Sequence, residues 1–238
     1  MPKLFRRRAV WLPTVWGVAL LLAIATALGI VLLPRLGDYL APTERAVGAD
    51  GRGARLLVVE GWLDDDALDD AIVLARSGGY EHIVTSGGPI EAWREIQPWP
   101  TYAERAADYL RRHGTRTPPV VAAPAPETTQ DRTYLSALVV REWARKEGIS
   151  VAAIDVFSAG VHARRSRLVY RMAFGSGVDV GVIAAPPHRY ALERWWTTSD
   201  GAKTVVGELL GLAWTKCCFW PANPGPAEDS GSTRKSPA

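Results

Sequence analysis

Glu60, Glu104 and His162 are the side chains of this sequence best suited to move protons at one site. Carboxylates and an imidazole serve as general acids and bases near neutral pH. Each lies at a predicted element boundary. Glu60 closes an apolar run, Glu104 falls three residues after Thr101 at a helix start, and His162 follows Ser158–Ala159–Gly160. Around His162 the stretch Val156–Tyr170, VFSAGVHARRSRLVY, gathers Arg164, Arg165, Ser166 and Arg167 into the first turns of a helix predicted from about Val161. A cation there opposes the helix dipole by about 0.3–1 kcal/mol. Unpaired backbone N–H groups also point out of that end. Cations added to those donors suit a bound anion. The plainer reading solvates Arg164 and Arg167 and pairs Arg165 with a carboxylate. Arg132 is a second early-helix cation, just after Asp131.

Other residues fit the same picture. Ser86, Gly87 and Gly88 follow an apolar run and would let backbone N–H groups approach an anion, although a glycine pair is also simply a turn. Trp62, just past Gly61, either stacks on a ligand or packs. Glu104 and Asp131 both read as third residues of capping boxes, opened by Thr101 and Thr128, which explains them without chemistry.

The elements that would position these residues alternate. Apolar runs at Leu56–Gly61, His82–Gly87, Pro119–Ala123, Val151–Phe157 and Val178–Ala184 read as strands. Helical patterns lie between them, and a last helix runs from about Thr198 to Cys218. The expected fold is α/β and Rossmann-like: a mostly parallel sheet of about five strands with helices on both faces. In such sheets the strand exits share one rim, where ligands bind.

A single transmembrane helix is expected ahead of that domain. No charged residue occurs from Ala9 to Pro34, a run long enough for the roughly 30 Å hydrocarbon core. Lys3, Arg6, Arg7 and Arg8 precede it, so the N-terminus is expected in the cytoplasm and the main domain outside it, on a plasma (inner) membrane. A cleaved signal peptide is the competing reading, with a weak site at Ala46–Val47–Gly48. Domain organisation follows: a basic leader 1–8, a span 9–34, a tether 35–54, the α/β domain 55–220 and a disordered tail 221–238.

Residues 1–40 carry five cations and one acid, a net +4 of the chain's +3. The remainder is slightly acidic, so no nucleic-acid surface is implied. Cys217 and Cys218 are adjacent and read as packing residues, with a vicinal disulfide the less favoured alternative. The nucleotide-binding G-x-G-x-x-G, the phosphate loop, the G-x-S-x-G elbow and any zinc pattern are missing, so no metal ligands are assigned. No cofactor is identified. The bilayer and a small anionic or lipid-linked ligand are the expected partners. Trp93, Trp99, Trp195 and Trp196 would form the contact surface if the protein instead acts without catalysis through a protein partner.

Six segments resemble the DUF218 family, also called the YdcF/SanA/ElyC-like family. They are VVEGW at 58–62, TSGG at 85–88, YAERAADYL at 102–110, ETTQDRTYLSA at 127–137, FSAGVHARRSRLVY at 157–170 and WWTTSDGAKTVVGELL at 195–210. The resemblance implies a Rossmann-like domain, often behind one membrane segment, with a role in cell-envelope or cell-wall biogenesis. It implies functional positions at Gly61, Gly87, Gly88, Glu104, Thr129, Asp131, Ser158, His162 and Arg165. One branch is associated with S-adenosylmethionine, which adds a cofactor- or nucleotide-binding alternative. The common first motif has a second glycine where this chain has Glu60, and acidic Asp64–Asp66 follow in place of a later arginine, a departure that bears on the substrate. The expected function is the binding of a phosphorylated envelope intermediate, with hydrolysis or transfer at phosphate if there is turnover.

Overall fold

A computed structural model describes residues 14–47, 53–91, 98–114 and 118–221. The basic leader, Trp93, most of the tail and the first residues of the expected span lie outside the described residues. Five strands, β1 (Ala54–Glu60), β2 (His82–Gly87), β3 (Val120–Pro124), β4 (Val151–Ala159) and β5 (Asp179–Ala185), form one sheet in the order β3-β2-β1-β4-β5. Every pairing is parallel. The sheet is therefore of the expected class, with β1 and β4 flanking the point where strand order reverses.

Two apolar layers hold it. Leu57 and Val59 of β1 face one side, where α2 (Asp65–Ser77) and α3 (Tyr102–His113) bury Leu68, Ile72 and Leu110. Leu56 and Val58 face the other, against α4 (Arg132–Lys146) and α5 (Ala163–Phe174), which contribute Val140, Val169 and Tyr170. This is the two-residue period of a strand covered on both faces. The same period carries Glu60, Ser86 and Ser158 onto the α5 face at the strand exits. There the apolar layer ends in a polar one.

Local signals start the helices. Asp64 accepts from the Ala67 N–H at 3.0 Å and Asp65 and Asp66 follow, so acids occupy the positive end of α2. Asp131 departs from expectation. It sits in the left-handed region at φ 53° and caps nothing with its side chain, while Thr128 bonds within its own turn to Gln130. The Thr128 capping box therefore does not form, because the chain turns sharply at Asp131 before α4 begins at Arg132. Between Ala159 and α5 a single 3-10 turn, Gly160–His162, delays the helix expected from Val161.

The N-terminal helix α1 covers Val15–Leu40 and is long and apolar enough to cross a membrane. Pro34 lies inside it, and the helix runs six residues past the expected end of the span at 34. Interior proline costs roughly 3 kcal/mol. Docking outweighs that cost: Leu33, Leu36 and Leu40 pack with Val161, Trp195, Val205 and Leu212. The expected tether is likewise corrected where it is described. Residues 35–40 are helical, Glu44 pairs with Val182 of β5, and Ala46 donates to the buried Asp155 carboxylate at 2.6 Å. Asp155 also accepts from Arg55 at 2.7 Å and Tyr80 at 2.9 Å, so the connection is pinned to the domain.

A second 3-10 segment, Leu192–Thr197, which the sequence reading lacked, leads into α6 (Ser199–Cys217). Cys217 and Cys218 close a vicinal disulfide at its end, where packing had been the favoured expectation.

Candidate functional site

The carboxyl ends of β1, β2 and β4 open into a cleft of about 890 Å³. Its floor is the polar layer. Glu60 is 3% exposed and accepts hydrogen bonds from Ser158 Oγ at 2.6 Å and Ser166 Oγ at 2.7 Å. Hydroxyl donors are what a buried carboxylate needs in place of water. Beside it Ser86 Oγ shares a hydrogen bond with the Tyr170 hydroxyl at 3.0 Å. Burial, reinforced by the Glu60 charge, pushes the Tyr170 phenol well above its ordinary value, so it stays a neutral hydroxyl.

His162 stands over this floor. Its Nδ1 lies 2.9 Å from Glu208 Oε1, a residue of α6, and its Nε2 lies 3.9 Å from Glu60 Oε1. Arg165 completes the group, donating through Nε to Glu208 Oε2 at 2.8 Å and reaching Oε1 at 3.2 Å. Burial pushes the Glu208 carboxyl up, but hydrogen bonds from His162 and Arg165 and their charge outweigh it and hold it down at about 2. Glu208 is thus ionised, and His162 Nδ1 lies 2.9 Å from both its Oε1 and Arg165 Nη2, so the ring is gripped at Nδ1 by the carboxylate and the guanidinium together. Its Nε2 faces the Glu60 side. The arrangement is a carboxylate-oriented histidine, able to take or give a proton at a group bound in the cleft.

The expected site residues separate on this geometry. Glu60, Trp62, Ser86, Gly87, Gly88, Thr129, Asp131, Arg132, His162 and Arg165 all line the cleft. Trp62 meets His162 edge-on with ring centroids 5.2 Å apart and keeps 44% of its surface exposed, so it both packs and faces the cavity. Arg132 reaches Glu91 Oε1 at 3.4 Å, a loose, largely exposed pair. Gly87 accepts from the Ala125 N–H through its carbonyl, and a Cβ there would come within 2.9 Å of Tyr102 Cβ. Its lack of a side chain serves packing against the start of α3. Gly88 has room for a Cβ.

Four expected residues do not line the cleft. Glu104 forms the capping box with Thr101, accepting its hydroxyl at 2.7 Å and donating its own N–H to Thr101 Oγ1 at 3.2 Å. Arg164 turns the other way, stacking 4.0 Å over the Tyr39 ring and bonding the Tyr39 carbonyl. Ser158 is fully buried and serves Glu60. Gly61 is a close-approach glycine, since a Cβ would collide with the Tyr102 carbonyl. The expected arginine cluster is therefore divided, and Arg165 takes the carboxylate partner that the plainer reading gave it. Arg167 is also paired away from the cleft, with Glu44.

Glu208 is the functional residue that sequence reasoning missed. Its signal was present: it is the one charged residue between Lys203 and Lys216 in an otherwise apolar and small-residue helix. Among the described residues no group of three or more His, Cys, Asp or Glu side chains is placed to hold a metal. No family model, curated protein or solved structure matches the chain.

Proposed function

We propose that the cleft binds a phosphorylated, hydroxyl-rich ligand of the cell envelope and that His162 moves a proton in hydrolysis or transfer at its phosphate. The observation that carries this reading is the Glu208–His162 pair, with Nε2 directed towards Glu60. Glu208 and Arg165 hold the ring at Nδ1, and Glu60 faces it from the Nε2 side.

Arg132 is the cation best able to receive a phosphoryl group, because its 3.4 Å pairing with Glu91 is loose and the guanidinium is exposed. Arg165 keeps its carboxylate and acts as a positioning residue. Glu127 and Asp131 also line the cleft and suit the hydroxyl groups of a sugar-like portion. The segments that resemble the DUF218 family support the envelope assignment, the apolar α1 supports a membrane-anchored setting, and the basic residues Lys3, Arg6, Arg7 and Arg8 before it favour an extracytoplasmic main domain.

A second reading rests on a specific observation. Five carboxylates (Glu60, Glu91, Glu127, Asp131, Glu208) line the cleft against two guanidinium groups. That excess favours a ligand bearing a positive centre, such as S-adenosylmethionine.

The full chain purified in detergent and assayed with pyrophosphate-linked lipids and sugars separates the two. The first reading predicts phosphate release that falls about 10²–10⁴-fold in His162→Asn, the usual contribution of a general acid–base group. It also predicts weaker binding in Arg132→Ala. Saturable binding of S-adenosylmethionine with no response to phosphorylated ligands would overturn it.

A further inference from the structure

We infer that the outer face of α6 lies in the interfacial layer of the same bilayer that α1 crosses. The inference rests on the membrane-anchored reading of α1 and adds a second, independent contact.

Helix α6 is apolar on two sides. Its inner side buries Val205 and Leu212 against the end of α1, and turns Glu208 towards His162. Its outer side should then be polar, as on a solvent-facing helix. It is not. Between Lys203 and Lys216 the exposed residues are Thr204, Val206, Gly207, Leu209, Leu210, Ala213 and Trp214. Val206, Leu210 and Trp214 recur every fourth residue, so they form one ridge. Leu210 is 66% exposed and Trp214 61%. A helix apolar all round needs cover on both sides. An apolar face closed by a lysine at each end is the pattern of a helix lying in a membrane interface, where the lysines reach back to the headgroups.

The position of α6 selects the bilayer as that cover. Both ends of α6 are tied to the last two turns of α1. Trp195, which packs beside Gly201 at the start of α6, donates Nε1–H to the Leu33 carbonyl at 2.8 Å, and Lys216 Nζ lies 3.4 Å from the Tyr39 hydroxyl. Arg35 is the first charged residue after the uncharged run that ends at Pro34, so Leu33 stands at the end of the apolar span. Leu33 therefore marks the level at which α1 leaves the apolar layer. Trp196, on the surface beside the buried Trp195, stands at that level, and Trp16 stands towards the opposite end, as aromatic residues do at the two faces of a bilayer. The docked connection holds the domain there. Trp214 belongs to both the ridge and the cleft wall, so the cleft opens beside the interface.

The test uses the full chain in phosphatidylcholine–phosphatidylglycerol vesicles, with Cys217→Ser and Cys218→Ser removing the native disulfide. Spin labels are placed singly at Val206→Cys, Leu210→Cys and Trp214→Cys, at Leu22→Cys in α1, and at Ser77→Cys as an aqueous reference. Collision with oxygen is compared with collision with a water-soluble nickel chelate. The expected result is several-fold greater oxygen than chelate access at 206, 210 and 214, and the reverse at 77. Chelate access at 210 and 214 equal to that at 77, with 22 in lipid, overturns this inference and leaves the anchor standing. Chelate access at 22 as well removes the anchor and this inference together. Dipolar broadening between two labels at 210, with neither probe reaching them, shows a second copy on the ridge and also overturns it.

Discussion

At the residue scale the cleft is organised by one ionised carboxylate that the chain keeps out of water. Glu208 is held at about 2, so its contribution to folding is present above the ordinary glutamate range near 4.3 and is lost as pH falls from there towards 2. The shift corresponds to about 3 kcal/mol. Glu208→Gln should therefore be less stable than the parent at pH 7, and the difference should shrink from about pH 4 and vanish only near pH 2 and below. Thermal unfolding across that range measures it. Glu60 gives a separate outcome. Glu60→Ala leaves the Ser158 and Ser166 hydroxyls without their acceptor in a buried layer and should cost about 1–3 kcal/mol each way it is compared by denaturant unfolding. Glu104→Ala should leave turnover intact and lower stability by about 0.5–2 kcal/mol, because it removes only a cap. Kinetics beside unfolding distinguishes that outcome from a catalytic loss.

At the element scale the sheet and most helix boundaries were legible because strand period, glycine stops and acidic first turns are local signals. Glu60, Ser86 and Ser158 were placed at strand exits by the same logic. The errors were tertiary. The span was expected to end with the uncharged run at 34, because the sequence cannot show that Leu33, Leu36 and Leu40 have a docking surface on the domain. Arg164 and Arg165 are neighbours in sequence yet face α1 and α6 respectively, and which way each turns is set by those partners. Glu208 stood out as the one charge between Lys203 and Lys216, but its role could not be read because its partner lies 46 positions earlier. The α1 docking is itself testable. A Cβ at Gly37 would lie 2.8 Å from the Leu192 carbonyl, so Gly37→Val should part α1 from the 3-10 segment at Leu192–Thr197. Limited proteolysis should then cut within residues 41–47, and should leave them uncut in the parent protein, where Glu44 and Ala46 are bonded to the domain.

At the scale of the whole molecule, a doubly wound sheet sets its cleft where β1 and β4 diverge, and α6 closes one wall with a residue that orients the histidine. The central claim is that a phosphoryl group sits in this cleft between Arg132 and His162. A crystal of the full chain soaked in inorganic pyrophosphate tests it most directly. The account predicts density for the anion within hydrogen-bonding distance of His162 Nε2 and the Arg132 guanidinium, with Arg165 still paired to Glu208. A cleft without the anion at saturating pyrophosphate, or an anion held only elsewhere on the surface, would contradict it.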